Sequence, residues 1–311
     1  MLPKVKMEKK SKKIFGERRK KELLFYILLV AYPVVQFCIF YVYVNFNSIL
    51  LSLKSYDLDE GYFFVGLKNF RDVFNLLSND VPFQTYVKNS LFVLLLGLGI
   101  GSFLPLLVSY YVFKKKLLSG VFRIILFIPA VISSLALVLG YKFFLEQAVP
   151  DIYFQLTGKV IDGLITNMNT RYFFILLYSY LFGYGTTFLL YVSTMSGISD
   201  SVLEAVKLEG ANSIQEFVHI IMPLIYPTFT TFFVVSVGAM FQNQNHLFNF
   251  YGVDAPHALR TIGYHLYRNA AVGAADTLPQ LSAMGLLFTF ISLPITLLVK
   301  YLMERFGPSV D

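Results

Sequence analysis

Apolar positions along this chain fall in long unbroken runs, unlike the alternating or one-sided patterns of a soluble fold. The first, Leu23 to Val44, holds no charged side chain and is long enough to cross a hydrocarbon core of ~30 Å at ~1.5 Å per residue. Comparable runs follow at Leu91–Phe113, Ile124–Tyr141, Tyr172–Met195, Leu224–Phe241 and Leu281–Val299. The pattern predicts an all-α polytopic membrane protein: six transmembrane helices, about 23–44, 91–113, 122–142, 172–195, 223–242 and 281–300, in one domain over 23–305. Pro33 is expected to bend the first span, and Pro129 lies inside the third. Gly97 and Gly101 sit at GxxxG spacing with Gly99 between them, a pattern expected to let another helix approach closely. After the first span, Phe70, Val73, Phe74 and Leu77 recur at helical spacing, which predicts a short amphipathic helix at the interface. A second surface helix is expected in HALRTIGYHLYRNAA, between the fifth and sixth spans.

One polar stretch breaks this rhythm. Ser196 to Pro223 contains Ser201 with Glu204 and Ser213 with Glu216, both at capping-box spacing, in which each side chain satisfies the other's free backbone N–H. Gly210 falls between them, where a first short helix needs a residue tolerant of positive φ to end. The expected local structure is helix, tight turn at Gly210, second helix, then Pro223 opening the next span. Such a two-helix elbow, 196–222, is shaped to be gripped by another molecule.

Composition agrees with the pattern. Hydrophobic residues make up 56% of the chain, charged ones 14%, and mean hydropathy is +0.61, which excludes an ordinary soluble domain. The net charge of +7 invites a nucleic-acid reading, but its placement argues for topology instead. Lys4, Lys6, Lys9, Lys10, Lys12, Lys13, Arg18, Arg19, Lys20 and Lys21 crowd a basic tail, 1–22. With that tail inside, 17 of the 26 Lys and Arg residues fall on the cytoplasmic side in its shorter loops. Both termini and the elbow are then cytoplasmic. The first apolar run is too long for a signal peptide, and no small-residue cleavage site closes it. Cys38 stands alone within an apolar run, so no disulfide framework is expected within the chain.

Several chemistries have no residues to carry them. No G-x-x-x-x-G-K-[ST] phosphate loop occurs, and His219, His246, His257 and His265 form neither HExxH nor a Cys/His cluster, so no metal site is expected. No carboxylate or lysine lies mid-span, where a proton-coupled transporter or membrane-embedded hydrolase needs one. The spans carry aromatic and neutral polar groups, which suit an uncharged, hydroxyl-rich cargo. The most polar patches are Tyr178-Ser179-Tyr180 with Gly183-Tyr184-Gly185-Thr186-Thr187, and Ser236 with Gln242-Asn243-Gln244-Asn245. An ordinary reading stands beside the functional one, since Tyr populates interface belts and Ser or Thr bonds back to its own helix.

Glu204-Ala205-x-x-x-x-Gly210-Ala211, with Ile220-x-x-Pro223 at its end, resembles the EAA loop of ABC importer permeases. Val206, Glu209 and Met222 stand where a small residue, Asp and Leu are usual. FVGLKNF, with Asn89-Ser90 and FRIILFIPA further on, resembles the sugar-type branch, and the likeness extends from about Leu23 to Pro308. The resemblance implies a type I ABC importer permease fold in the bacterial cytoplasmic membrane. The chain would be non-catalytic, with ATP and Mg on two separate ABC ATPase subunits and a second, non-identical permease beside it. It also implies an extracytoplasmic solute-binding protein docking on the loops after Asn45, Glu146 and Gln242, delivering an oligosaccharide. Ser201, Glu204, Ala205, Lys207, Glu209, Gly210 and Ala211 would couple to the ATPase, with Glu204 meeting a basic group there. By analogy with maltose-type members, the sugar positions would be Ser179, Phe182, Gly183, Thr186, Ser236, Ala239, Met240 and Asn243. Gly183, Ser236 and Asn243 keep the family's residue type, while Ser179, Thr186, Ala239 and Met240 differ, which points to a glycan other than maltose. The alternatives are a permease for another cargo, such as peptides or phosphate, and a secondary transporter, although no repeated half or buried coupling charge supports the latter.

Overall fold

The computed structural model describes residues 4–308, with side chains from Arg19 onward, so the basic side chains before Arg19 lie outside the described residues. Among the described residues, five helices are long and apolar enough to cross a membrane: Arg19–Ser52, Val81–Phe113, Arg171–Ser196, Ser213–Gly238 and Leu278–Phe306. The remaining span is a pair, Ser119–Val131 and Ser134–Thr157, bent by 108°. The helical membrane fold expected from the sequence is present, and its departures from that expectation have physical causes.

The second span begins ten residues earlier than hydropathy places it. Asp80 caps the helix, its carboxylate accepting the Phe83 N–H at 2.7 Å, and Pro82 sits in the first turn where a missing N–H costs nothing. Gln84, Lys88 and Asn89 interrupt the apolar run but not the helix. The first span also runs on through Pro33, with a π-helical stretch, Cys38–Tyr43, just beyond it. The third span, expected as one helix, is instead two, the first ending at Val131, just past Pro129. Ile132 and Ser133 are then extended (ψ 146° and 127°), and a new helix starts at Ser134. The GxxxG expectation is met only in part. A Cβ at Gly101 would approach the Tyr180 ring at 3.3 Å, whereas one at Gly97 or Gly99 would meet nothing within 4 Å.

At one end of the bundle an antiparallel hairpin pairs Lys54–Asp57 with Gly61–Phe64, in the register Lys54↔Phe64 to Asp57↔Gly61. Helix Lys68–Asn79 follows, as the Phe70, Val73, Phe74 and Leu77 spacing predicts. Val73 is fully buried, with Phe70 and Leu77 packed beside it against Phe83, Phe241, Met284 and Phe288, and only Phe74 faces outward. The helix therefore spends most of its apolar stripe on the protein rather than on lipid. Asn69 ties this layer down. It is 6% exposed, and its amide donates to the carbonyls of Ser52 at 2.8 Å and Lys54 at 2.6 Å. The second surface helix is Ile262–Val272, capped by the Thr261 hydroxyl.

The opposite end gathers the turn after Phe113, the elbow and the C-terminal end of the sixth span, where the Tyr226 hydroxyl donates to the Met303 carbonyl at 3.0 Å. Asn69→Ala would deprive the buried Ser52 carbonyl and the half-buried Lys54 carbonyl of this donor, a loss of about 1–3 kcal/mol. The purified protein should unfold at a lower temperature, with the 52–64 segment losing protease resistance first.

Candidate functional site: the elbow and the broken fourth span

The first elbow helix spans Asp200–Leu208. Its N-cap is the extended residue Ser199 (φ −65°, ψ 142°), so Ser201 lies inside the helix, its hydroxyl 3.1 Å from that of Ser199. The expected box between Ser201 and Glu204 is therefore not formed, and Glu204 is exposed. The helix ends as its glycine predicts. Gly210 takes φ +75°, its N–H bonds the Lys207 carbonyl at 3.1 Å, and the Ala211 N–H bonds the Val206 carbonyl at 3.3 Å. These two reversed bonds make a Schellman stop, which needs the left-handed conformation that a Cβ disfavours.

The second elbow helix starts one residue ahead of the expected Ser213–Glu216 box. Asn212 is the cap: its side-chain oxygen accepts the N–H groups of Ile214 at 3.0 Å and Gln215 at 2.9 Å. The Gln215 side chain returns a bond to the Asn212 N–H at 2.9 Å. Asn followed by Gln three residues on is the same reciprocal device, shifted by one position. That shift turns Glu216 inward. It is 5% exposed, and the Lys114 ammonium reaches both its oxygens, at 2.8 and 2.7 Å. Sequence reasoning missed this pair because it joins the end of the second span to the elbow across about a hundred residues. The only signal was an acidic residue inside an otherwise apolar helical face.

Both elbow helices are seated on the bundle. Val206 is buried, Leu203 and Phe217 pack against a cluster of Leu106, Tyr191, Met195 and Ile225, and the Tyr110 hydroxyl donates to the Ser213 carbonyl at 2.9 Å. Outward, Ser201, Glu204, Ala205, Lys207, Glu209 and Gly210 are all exposed, beside Leu208 at 89% and Ile214 at 76%; Ala211 is half-buried. The surface combines two carboxylates, one ammonium and two bare aliphatic side chains on a rigid turn.

The fourth span is interrupted at Gly183–Tyr184, between Arg171–Phe182 and Gly185–Ser196. Gly185 is needed there, since a Cβ would come within 2.8 Å of the Leu126 carbonyl on the third span. Around this break the expected sugar positions separate into two groups. Thr186, Gly183 and Asn243 are exposed. Phe182 packs edge-on to Tyr141 at 5.9 Å and beside Tyr178 at 5.2 Å. The Ser179 hydroxyl lies 2.8 Å from the Asn245 side-chain oxygen and 3.1 Å from the Ile175 carbonyl. That of Ser236 bonds back to Phe232 at 2.9 Å, and the Asn243 side-chain oxygen accepts the Asn245 N–H at 2.8 Å. Ala239 closes the fifth span, and Met240, 3% exposed, is packed into the core, so it offers no surface to a cargo in this conformation. Asn245 was not expected. It is 3% exposed, left-handed at φ 50°, and its amide nitrogen has no partner among the described residues. His246 beside it is also left-handed, at φ 56°, and burial pushes its pKa below the ordinary histidine value, which keeps it neutral near pH 7.

A polytopic helical bundle with a polar two-helix elbow at one end is the layout expected of an importer permease. The chain belongs to the family described as binding-protein-dependent transport system inner membrane component, whose model matches residues 94–311. It is similar to the probable ABC transporter permease protein YurN of Bacillus subtilis, at 25% identity over 88% of this chain and 93% of the relative. It is also similar to AmyD of Thermoanaerobacterium thermosulfurigenes, a probable starch degradation products transport system permease, at 22% identity over 91% of each chain. In fold it matches a chain of a bacterial alginate ABC transporter, solved in complex with an alginate pentasaccharide-bound periplasmic protein. The TM-score is 0.75 at 18% identity, covering 93% of this chain and 96% of that one.

Gly210→Ala should weaken the Schellman stop by about 1–2 kcal/mol, the cost of a left-handed L-residue. Hydrogen exchange should accelerate at the Gly210 and Ala211 amides while the core spans keep their protection.

Proposed function

We propose that this chain is one of two permease subunits of an ATP-driven importer that takes up an oligosaccharide delivered by an extracytoplasmic binding protein. The observation that carries the reading is the elbow. Its helices are held by bonds that need no partner, while a continuous surface around Glu204, Lys207, Leu208 and Gly210 stays bare. A surface built this rigidly and left uncovered suits a partner that pushes on it.

The elbow, the basic turn at Lys114 to Lys116 and the C-terminal end of the sixth span share one end of the bundle, so the positive-inside rule favours the cytoplasm for that end and for both termini. ATP and Mg would be held by separate ATPase subunits gripping the elbow, with a second, non-identical permease completing the pathway. The opposite end, with its hairpin and surface helices, would receive the binding protein. Carbohydrate cargo is supported by the starch-product relative and by exposed neutral polar groups, Thr186 and Asn243 foremost. Aromatic faces such as Phe182 would stack on sugar rings while hydroxyl and amide groups bond them. The 108° bend of the third span, packed against the fourth at Gly185, is where a change of access would concentrate, because the third span already lacks a continuous helical ladder there.

Co-purification from the native membrane should recover a second permease and an ABC ATPase, and the reconstituted assembly should take up labelled oligosaccharide only with ATP and binding protein. Recovery of the chain alone would overturn this reading, and uptake of peptide or phosphate instead would overturn the cargo. Glu204→Lys should leave the assembly and its sugar affinity intact but lower uptake by about tenfold or more, in line with an interfacial charge reversal of ~1.4 kcal/mol or larger.

A further inference from the structure

We infer that the Lys114–Glu216 ion pair is a strut, a positioning contact that ties the end of the second span directly to the elbow so that the elbow's motion is passed efficiently to that span as well as to the fourth and fifth. The inference rests on the coupling role proposed for the elbow. Chain connectivity alone already joins the elbow to two spans. The first elbow helix follows the fourth span after Gly197 and Ile198, and the second runs without a break into the fifth, as Ser213–Gly238. The second span has no such connection. It meets the elbow only through side chains at its end.

Tyr110 and Lys114 lie one helical turn apart, so both point to the same neighbour. The Tyr110 ring sits 4.9 Å from that of Phe217, its hydroxyl bonds the Ser213 carbonyl, and Lys114 takes both oxygens of Glu216. The lysine side chain is 20% exposed and the glutamate 6%. The neighbouring Lys115 and Lys116 are exposed and enter no ion pair among the described residues, so the geometry selects one lysine of three. A bidentate pair this sheltered is screened little by salt and strongly disfavours separation, because parting it leaves two charges in a poor solvent. Further into the membrane, the Ser109 hydroxyl contacts the Phe188 carbonyl of the fourth span at 3.0 Å. Leu106, Tyr191, Met195, Ile221, Ile225 and Phe229 form one cluster there across all three spans. The second, fourth and fifth spans are thus locked at two levels, and the ion pair is the level that touches the elbow.

The test uses the complete assembly, reconstituted with its ATPase and binding protein, and reads the number of cargo molecules moved per ATP hydrolysed. Absence of ATP-driven uptake in the unmodified assembly would overturn the coupling reading itself, separately from the strut. Given that uptake, Lys114→Met and Glu216→Gln should each lower the ratio by about fivefold, within the size of non-contact coupling effects, while ATP hydrolysis continues. Lys114→Arg and the double exchange Lys114→Glu with Glu216→Lys should return it to within about twofold of the original. Unchanged ratios in the two neutral variants would overturn the inference. So would a double exchange as uncoupled as its single members, or loss of assembly in both neutral variants with recovery in the exchange, which would make the pair an element of folding alone.

Discussion

A chain in hydrocarbon has to satisfy its own backbone, since no water is present to replace a lost hydrogen bond. Every departure from straight helix in this protein is arranged around that constraint. At the fourth-span break the Gly183 N–H still finds the Ser179 carbonyl and the Phe188 N–H finds that of Tyr184. At the third-span bend the Ile132 N–H still bonds the Ile128 carbonyl and the Leu137 N–H that of Ser133, so the ladder resumes on both sides of the turn. After the fifth span, Asn243 and Thr261 supply side-chain partners for a loop that doubles back. Irregular backbone is therefore confined to places where polar side chains or neighbouring spans can serve it. Those are also the places where neutral polar groups collect.

The long apolar runs were legible because lipid exposure demands them at almost every position, as in the first span, where no residue of the apolar stretch is buried. Helix ends were less legible. Polar residues such as Gln84 and Asn89 lower hydropathy without stopping a helix, and the true start at Asp80 depends on a cap rather than on apolarity. The bend of the third span was hidden for a related reason: Pro33 and Pro129 look alike in sequence, yet only the second is followed by a residue pair ready to leave the helical region.

The elbow shows both sides of the same problem. Gly210 was readable from its type alone, because few residues tolerate its conformation. The caps were misplaced by one or two residues, since Ser201 and Ser213 satisfy the spacing as well as the residues that do the capping. Spacing pairs Glu216 with a local N–H, whereas its partner is Lys114, far away in sequence. Spacing rules describe neighbours along the chain, whereas the elbow is seated by contacts that only the folded bundle brings together. Around the fourth span, residue type alone did not reveal which hydroxyls and amides were already engaged. Ser179 and Thr186 look equivalent in the sequence, but one is bonded to Asn245 and the other is exposed.

The closed ends of the two elbow helices leave Ala211 as the single residue between one helix's stop and the next helix's cap. Such a segment has little conformational freedom left to lose when something docks on it, so the ordering penalty that weakens many loop-mediated contacts is largely absent. Affinity at this surface can then be set by a handful of side chains standing on a fixed scaffold. On the coupling role proposed for the elbow, exchanging Glu204, Lys207 or Leu208 would change the contacts offered to a partner without redesigning the shape that offers them.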